Sequence, residues 1–482
     1  MNTMAAYNFP SPRNPSYKKP NSAGDCLPQA RLLAKKQHGR AAMGPVKRGD
    51  RFLIITYPDQ DPYVKEAVIQ ALEEEGAEKV DFKDIIQLLG AKGVKTLSVE
   101  DGWHEVEMMK QNMASGAVGR RDGLTGMDTG AVVRKVLDEH DYTGLFFAAG
   151  GRPQVVRLLE KHGGKFRNNW LFNNWEEFFS KAWVYPDELS MEIEKRLLEP
   201  LGKASAVRIT DPEGTHLEYT LTPEEAKRWQ MTAGRSSHLY FDPHQSTAEG
   251  SAIVPVSTQV PPVFPKYQGV LAGTANHRGF FPRIELYFER GRLVEVKGGG
   301  RYGEGIKEMM DRYKDTHWPF YPDKGYFWFC DCALCTTVKA FRRTSDMFHS
   351  YWGLPNTPER NRAGVFHLGI GARKHGEAFG RYAKENDLPM GHIHVHNYFA
   401  TFEIKIQGTD YWYKIIDKGW VTCMDSPEIR ALAVKYGDPD ELLKYDWTPP
   451  LPGINCEGDY LKDYAPDPIA YLKQRMKENK SV

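Results

Sequence analysis

The chain has 482 residues, more than one compact core usually holds, so two domains are expected, with added terminal segments. Lys+Arg number 64 and Asp+Glu 63, a formal net charge of +1, which argues against nucleic acid or an anionic membrane as the main partner. Apolar residues make up 41% and charged residues 26%, an ordinary globular mix, and six Cys are too few for a disulfide scaffold, so a reduced, cytoplasmic protein is expected.

Residues 1–44 are polar and Pro-rich, with no apolar stretch of the secretory kind, and read as a mobile or wrapping arm. No apolar run approaches the roughly 20 residues of a membrane span. An α/β domain is expected over 45–200. Phe52 to Thr56 reads as a buried parallel strand, Val64, Val68, Ile69 and Leu72 recur at helical spacing, and Lys79 to Phe82 starts a second strand. Helical patterns fill 105–115, 128–139 and 154–162, and Leu145 to Ala149 reads as another buried strand. An open, mostly parallel sheet follows from this alternation. Gly150-Gly151-Arg152-Pro153 is not a dinucleotide fingerprint and no Walker loop is present, so this domain reads as architectural.

From 201 to 445 the pattern turns β-rich. Strands are expected at Ala206 to Ile209, His216 to Leu221, Ala252 to Val256, Arg283 to Glu289, Leu293 to Lys297, Tyr398 to Ile406 and Tyr411 to Ile416, with helices at 303–313 and 375–385. Glu289-Arg290-Gly291-Arg292 reads as a hairpin connection. Residues 446–482 form a Pro/Gly-rich tail ending in a short charged helix. The fold class expected is thus an α/β N-terminal domain followed by a β-rich α+β domain.

The chemistry is concentrated in the second half, where ten of the 15 His lie between His238 and His396. His392, His394 and His396 stand at i, i+2 and i+4 of a strand and so share one face; neutral imidazoles there suit Zn, Fe, Ni or Cu. A solvated or aromatic-stacked strand face is the plainer reading, since same-face neighbours lie about 6–7 Å apart and rarely all bind one ion. His367 is delivered by an apolar strand into Gly369 and Gly371, where backbone can approach a ligand closely. His238 opens a polar loop ending at Ala248-Glu249-Gly250. Cys330, Cys332 and Cys335 form a C-x-C-x-x-C cluster, and the flanking Phe327, Trp328 and Phe329 favour buried, inert thiols over metal ligands.

Taken together these segments resemble the superfamily of thermophilic (aminopeptidase T-type) metallopeptidases and the dihydroxypyridine ring-cleaving dioxygenase. The resemblance is carried by the opening β-α-β over 48–80, by Val207-Arg208-Ile209-Thr210 with Gly214-Thr215 and Arg228-Trp229, by Ala248-Glu249-Gly250, by the hairpin 283–296 and by Phe366-His367-Leu368-Gly369-Ile370-Gly371. It implies a homodimer and a metal held by His367, with His238 at the position of a family Glu ligand. The family's later H-x-D pair is missing: no His follows His396, and the comparable strand reads Tyr411 to Asp417. His392, His394 and His396 are the candidate replacements.

The expected ligand set is therefore His238, His367 and members of the 392–396 strand, holding one divalent metal, Fe(II) in the first place and Zn or Co as alternatives. Three functions stay open: a mononuclear dioxygenase of aromatic catabolism that opens a hydroxylated aromatic or heteroaromatic ring, a metallohydrolase (aminopeptidase or amidase), and a non-catalytic binding relative. His277 and His375 are candidate general bases, and Arg278, Arg301, Arg373 and Tyr398 candidate contacts to a small aromatic substrate. The aromatic content of 12%, including Trp318, Phe320, Tyr321, Tyr326, Tyr351 and Trp352, points toward a flat substrate or simply a large core.

Overall fold

The apolar run at the start of the first domain is buried on both faces, which accounts for its lack of alternation. In the computed structural model, residues 9–37, 42–110, 129–148, 174–231, 267–319, 321–345, 347–351, 356–372 and 376–482 are described, together with 165–167 and 238–240; at 165–167, 238–240, 331, 357, 372 and 376–379 only the backbone is described. Strands β1 (Arg51–Thr56), β2 (Lys79–Asp84), β3 (Gly144–Phe147) and β4 (Lys165–Arg167) form a parallel sheet in the order β2-β1-β3-β4. Phe52 and Ile54 face one helical layer, and Leu53 and Ile55 pack with Val133, Val136 and Leu137 on the other side. Helix Pro62–Glu74 starts where Asp61 accepts hydrogen bonds from the backbone N–H groups of Tyr63 (3.0 Å) and Val64 (3.1 Å), with Pro62 at its first position.

The described part of the N-terminal segment packs on the rest of the chain. Helix Ala23–Lys35, capped by Ser22, buries Cys26, Ala30 and Leu33 in the same core as helix Pro62–Glu74. Pro28 inside that helix and a wide polar face mask it in the sequence. Ahead of it, Arg13 pairs with Thr448, and Asn455 donates to the Pro10 carbonyl, so the arm lies on the C-terminal tail.

The second sheet is antiparallel and, among the described residues, has twelve strands. They are β5 (Ala204–Thr210), β6 (His216–Thr220), β7 (His238–Tyr240), β8 (Gln268–Ala275), β9 (Phe280–Glu289), β10 (Arg292–Gly298), β11 (Trp328–Cys335), β12 (Phe366–Ala372), β13 (Gly391–Asn397), β14 (Thr401–Ile406), β15 (Trp412–Asp417) and β16 (Trp420–Val421). Their order is β13-β12-β11-β10-β9-β8-β6-β5-β14-β15-β16, with β7 paired to β11. Arg290 and Gly291 both take positive φ (49° and 81°), the requirement of a two-residue hairpin whose twist matches β9 and β10. The sheet curls so that β13 comes back against β8: Asn397 donates to the Ala272 carbonyl at 2.8 Å, and a Cβ at Gly273 would stand 2.6 Å from Val395 Cγ1.

The fold class follows the expectation, and most elements lie within a few residues of it. The strand expected from Tyr398 begins only at Thr401, because Tyr398 is drawn into the interior by Glu359. The expected strand at 252–256 and helix at 154–162 lie outside the described residues. No helix among the described residues is long and apolar enough to cross a membrane.

Candidate metal centre

Strands β12 and β13 pair so that His367 faces His396, Gly369 faces His394 and Gly371 faces His392. The two-residue period of a strand places all six on one face, and glycines opposite two of the three β13 imidazoles leave them room. His277 comes from the four-residue turn between β8 and β9. Asn276 Oδ1 accepts the backbone N–H groups of Arg278 (2.9 Å) and Gly279 (3.1 Å), and Asn356 donates to the Asn276 carbonyl at 3.0 Å, which fixes that turn.

A carboxylate reaches the same place from the other half of the chain. A Cβ on Gly279 would lie 2.0 Å from the Val99 carbonyl oxygen, and one on Gly102 would lie 2.5 Å from that of Phe280. Two glycines thus let segment 99–110 press directly on the β8–β9 turn, and Asn276 Nδ2 donates to Gly102 O at 2.8 Å. Helix His104–Lys110 then buries Glu105, 1% exposed, beneath β13.

Glu105 Oε1 lies 2.7 Å from His394 Nδ1, and Oε2 accepts the His394 backbone N–H at 2.8 Å and the Tyr302 hydroxyl at 3.2 Å. The His277 ring stacks on His394 with centroids 3.7 Å apart, and its Nδ1 is 2.8 Å from His396 Nε2. The His367 ring stands 5.1 Å from His277 and 5.8 Å from His394. Among the described residues, Glu105, His277 and His394 form the one group whose ligand atoms all lie within 4.8 Å of one another. Two imidazoles and one carboxylate are a donor set that first-row divalent metals accept, so the residues fit the expected ion.

Electrostatics agree with that fit. Burial, reinforced by the Arg360 charge and neighbouring imidazoles, holds His277 well below the usual histidine range, so the ring stays neutral. Burial also lowers His396, against the pull of Glu359. Burial resists ionisation of Glu105, but its contacts with His394 outweigh this and keep the carboxyl below its usual value. Behind the group stands Glu359, completely buried. It accepts hydrogen bonds from Arg342 Nε and the Tyr398 hydroxyl, and His396 Nδ1 lies 3.5 Å away. Arg360, the next residue, donates to His277 Nε2.

No family model matches the chain, and no curated protein does. Two of the solved structures to which the chain is similar are as follows. One is of 2,5-dihydroxypyridine dioxygenase from Pseudomonas putida KT2440, at 13% identity and a TM-score of 0.45, covering 85% of this chain and 99% of that one. The other is wild-type AmpT from Thermus thermophilus, at 14% identity and a TM-score of 0.39, covering 83% and 99%.

Of the residues singled out in the sequence, His367, His394 and His396 come together, and His392 stays half-buried with its ring 4.4 Å from that of His394. His277, expected as a base, lies within this candidate group. The backbone of His238 pairs with Cys335 on β11; its side chain lies outside the described residues, as do Arg373 and His375. Arg278 is buried beside the group, whereas Arg301 is exposed and lies 3.4 Å over the Trp103 ring. Tyr398, expected to touch substrate, is fully enclosed between Glu359 and Trp447. Trp318, Tyr321 and Tyr326 pack in the main core, so they do not line this site. The three thiols are buried as expected, though Cys335 Sγ approaches His367 Nδ1 to 3.7 Å.

Sequence reasoning missed Glu105, Glu359, Arg342 and Arg360. For Glu105 a signal existed. It lies at i, i+3 and i+4 with Met108 and Met109, so a carboxylate stands on the apolar stripe of its helix. Asn356-Thr357-Pro358-Glu359-Arg360 reads only as a polar turn.

Proposed function

We propose that this chain is a mononuclear metal enzyme that uses dioxygen to open the ring of a small hydroxylated aromatic or heteroaromatic substrate. The observation that carries this reading is the convergence of Glu105, His277 and His394, each buried, from three separate parts of the chain. Glu105, His277 and His394 would hold the ion. The donor set suits Fe(II) with positions left open for other ligands. Iron there supplies the electron transfer that lets dioxygen react with a ring.

The remaining groups have roles of their own. His396 orients the His277 ring through the 2.8 Å contact, and Glu359, anchored by Arg342, orients His396. His367, buried beside His277 and His396, would accept a substrate hydroxyl proton. Burial of the whole group keeps bulk water away. Two ions side by side would need several carboxylates to offset their repulsion, and of the two carboxylates at the cluster Glu359 is committed to Arg342. The same two imidazoles and carboxylate would also suit zinc and an activated water, so a hydrolase is the second reading. Among the described residues at the cluster it lacks a carboxylate free to act as base, because the Arg342 and His396 contacts outweigh burial and keep Glu359 in an ion pair.

Metal analysis after anaerobic purification tests the proposal. One iron per chain, with oxygen uptake on catechol-type or pyridinediol substrates and loss of the iron in Glu105→Gln and His394→Ala, is the expected result. Two zinc or cobalt ions with peptide cleavage would refute it. No bound metal and unchanged behaviour of His277→Ala would favour a non-catalytic binding protein.

A further inference from the structure

We propose that Tyr302 is a positioning residue for the metal ion: its hydroxyl ties together the three segments that bring the candidate ligands, and so sets how tightly the ion is held. This rests on the ion site proposed above, not on what the ion does there. Tyr302 is 0% exposed and belongs to helix Gly300–Arg312, which supplies none of the three candidate ligands. Its hydroxyl lies 3.2 Å from Glu105 Oε2 and 2.9 Å from the His394 carbonyl oxygen. The side chain of Asn276, the residue before His277, acts on the same phenol. One oxygen atom thus meets the helix of Glu105, strand β13 and the β8–β9 turn, with Glu105 197 positions away and His394 92.

The helix that carries this hydroxyl is held where it stands. The Tyr302 ring stacks on Phe281, four residues after His277, with centroids 4.2 Å apart. A Cβ on Gly305 would lie 2.8 Å from Val106 Cγ1, so the helix rests directly on the neighbour of Glu105. Further along, Lys110 Nζ lies 2.6 Å from Glu308 Oε2. Ring, glycine and ion pair fix the helix, and the hydroxyl is the part that reaches the ligands. Glu105 Oε2 takes this hydroxyl and the His394 backbone N–H at 2.8 Å, and the two donors set the plane in which Oε1 faces His394 Nδ1. A phenol has one hydrogen, and with two acceptors in reach it can donate to Oε2 or to the His394 carbonyl without moving. Hydrogen-bond partners that stand behind metal ligands are worth about 10–100-fold in metal affinity.

The test is cobalt(II) affinity, measured on metal-free protein by competition with a chromophoric chelator. Tyr302→Phe removes the oxygen and keeps the ring and its stack on Phe281. It should fold, and should bind cobalt about tenfold or more weakly than the wild type, with a changed visible spectrum of the bound ion. Glu308→Gln breaks another contact between the same two helices and should leave affinity and spectrum unchanged. Equal affinity in Tyr302→Phe and the wild type overturns the proposal. An equal loss in Glu308→Gln also overturns it, since helix packing alone would then account for the effect. Failure of Tyr302→Phe to fold does the same, since the hydroxyl would then be serving the fold. The readout needs no turnover. A wild type that opens no ring, with cobalt still weakened in Tyr302→Phe, sinks the oxygenase reading and supports this one. Ring opening by a wild type that holds cobalt no tighter than Tyr302→Phe does the reverse. A wild type that binds no divalent ion overturns both.

Discussion

Replacing Glu359 by Leu should be among the most damaging single changes around the second sheet. The carboxylate is completely enclosed and accepts Arg342 Nε and the Tyr398 hydroxyl, with His396 Nδ1 at 3.5 Å. Arg342 is 1% exposed, and its guanidinium lies 4.8 Å from the rings of both Phe280 and Trp447. Leu fills a similar volume, but leaves a charge and a hydroxyl in the interior with no acceptor. Breaking one side of a buried ion pair costs about 3–5 kcal/mol, and an orphaned hydroxyl about 1–3 more, not fully additive. A loss of about 4 kcal/mol is a large share of the roughly 5–15 that hold a domain folded. Urea unfolding followed by tryptophan fluorescence reports on it, since Trp447 touches Arg342. With a slope of about 3 kcal/mol per molar, the midpoint should fall by about 1 M or more. Arg342→Met with Glu359→Leu removes both charges and should lie closer to the wild type than Glu359→Leu does. A midpoint shift below about 0.3 M in the single variant, on the same slope, would refute the reasoning, as would a double variant showing the plain sum of the two singles.

Gly279→Ala should displace the segment that carries Glu105, because its Cβ would lie 2.0 Å from the Val99 carbonyl; a loss of about 1–3 kcal/mol together with weaker metal retention is expected, read by thermal unfolding and chelator competition. Gly380→Ala, on an open face of helix Gly376–Glu385, should instead raise stability by up to about 1 kcal/mol, and a matching loss there would show that crowding is not the cause at 279. Burial, aided by the neighbouring Asp211, raises Glu213 to about 8, so this carboxyl stays protonated in the folded chain while the unfolded chain ionises it near the ordinary carboxylate range. The unfolded state then binds fewer protons, and stability falls as pH rises from about 4.5 toward 8. Glu213→Gln should flatten that slope in melting temperatures measured across the window, and an unchanged slope would reassign it elsewhere.

Period and turn chemistry made much of the architecture readable. The alternation of β9 and β10 around Arg290-Gly291 and the unbroken apolar run of β1 each follow from one physical requirement. The face of the 392–396 strand was readable too, so His392, His394 and His396 could be placed together before any coordinates, and His367 joined them only through the family resemblance. What the sequence hid depends on contacts between distant segments. Glu105 looks like one more helix carboxylate until Gly102 and Gly279 bring its helix against the β8–β9 turn. Glu359 looks solvated until Arg342, 17 positions earlier, meets it inside the core. The aromatic surplus was open to two readings, and Trp318, Tyr321 and Tyr326 follow the plainer one, being spent on packing.

Glu105 and His394 are 289 residues apart and bind each other directly. A ribosome must therefore have released almost the whole chain before these two can meet. Any ion bound at this spot certifies that the early helix and the late strand have both reached their final places. Conversely, opening either side releases it, so dissociation of the ion should run ahead of global unfolding and serve as the earliest sign of damage to the chain.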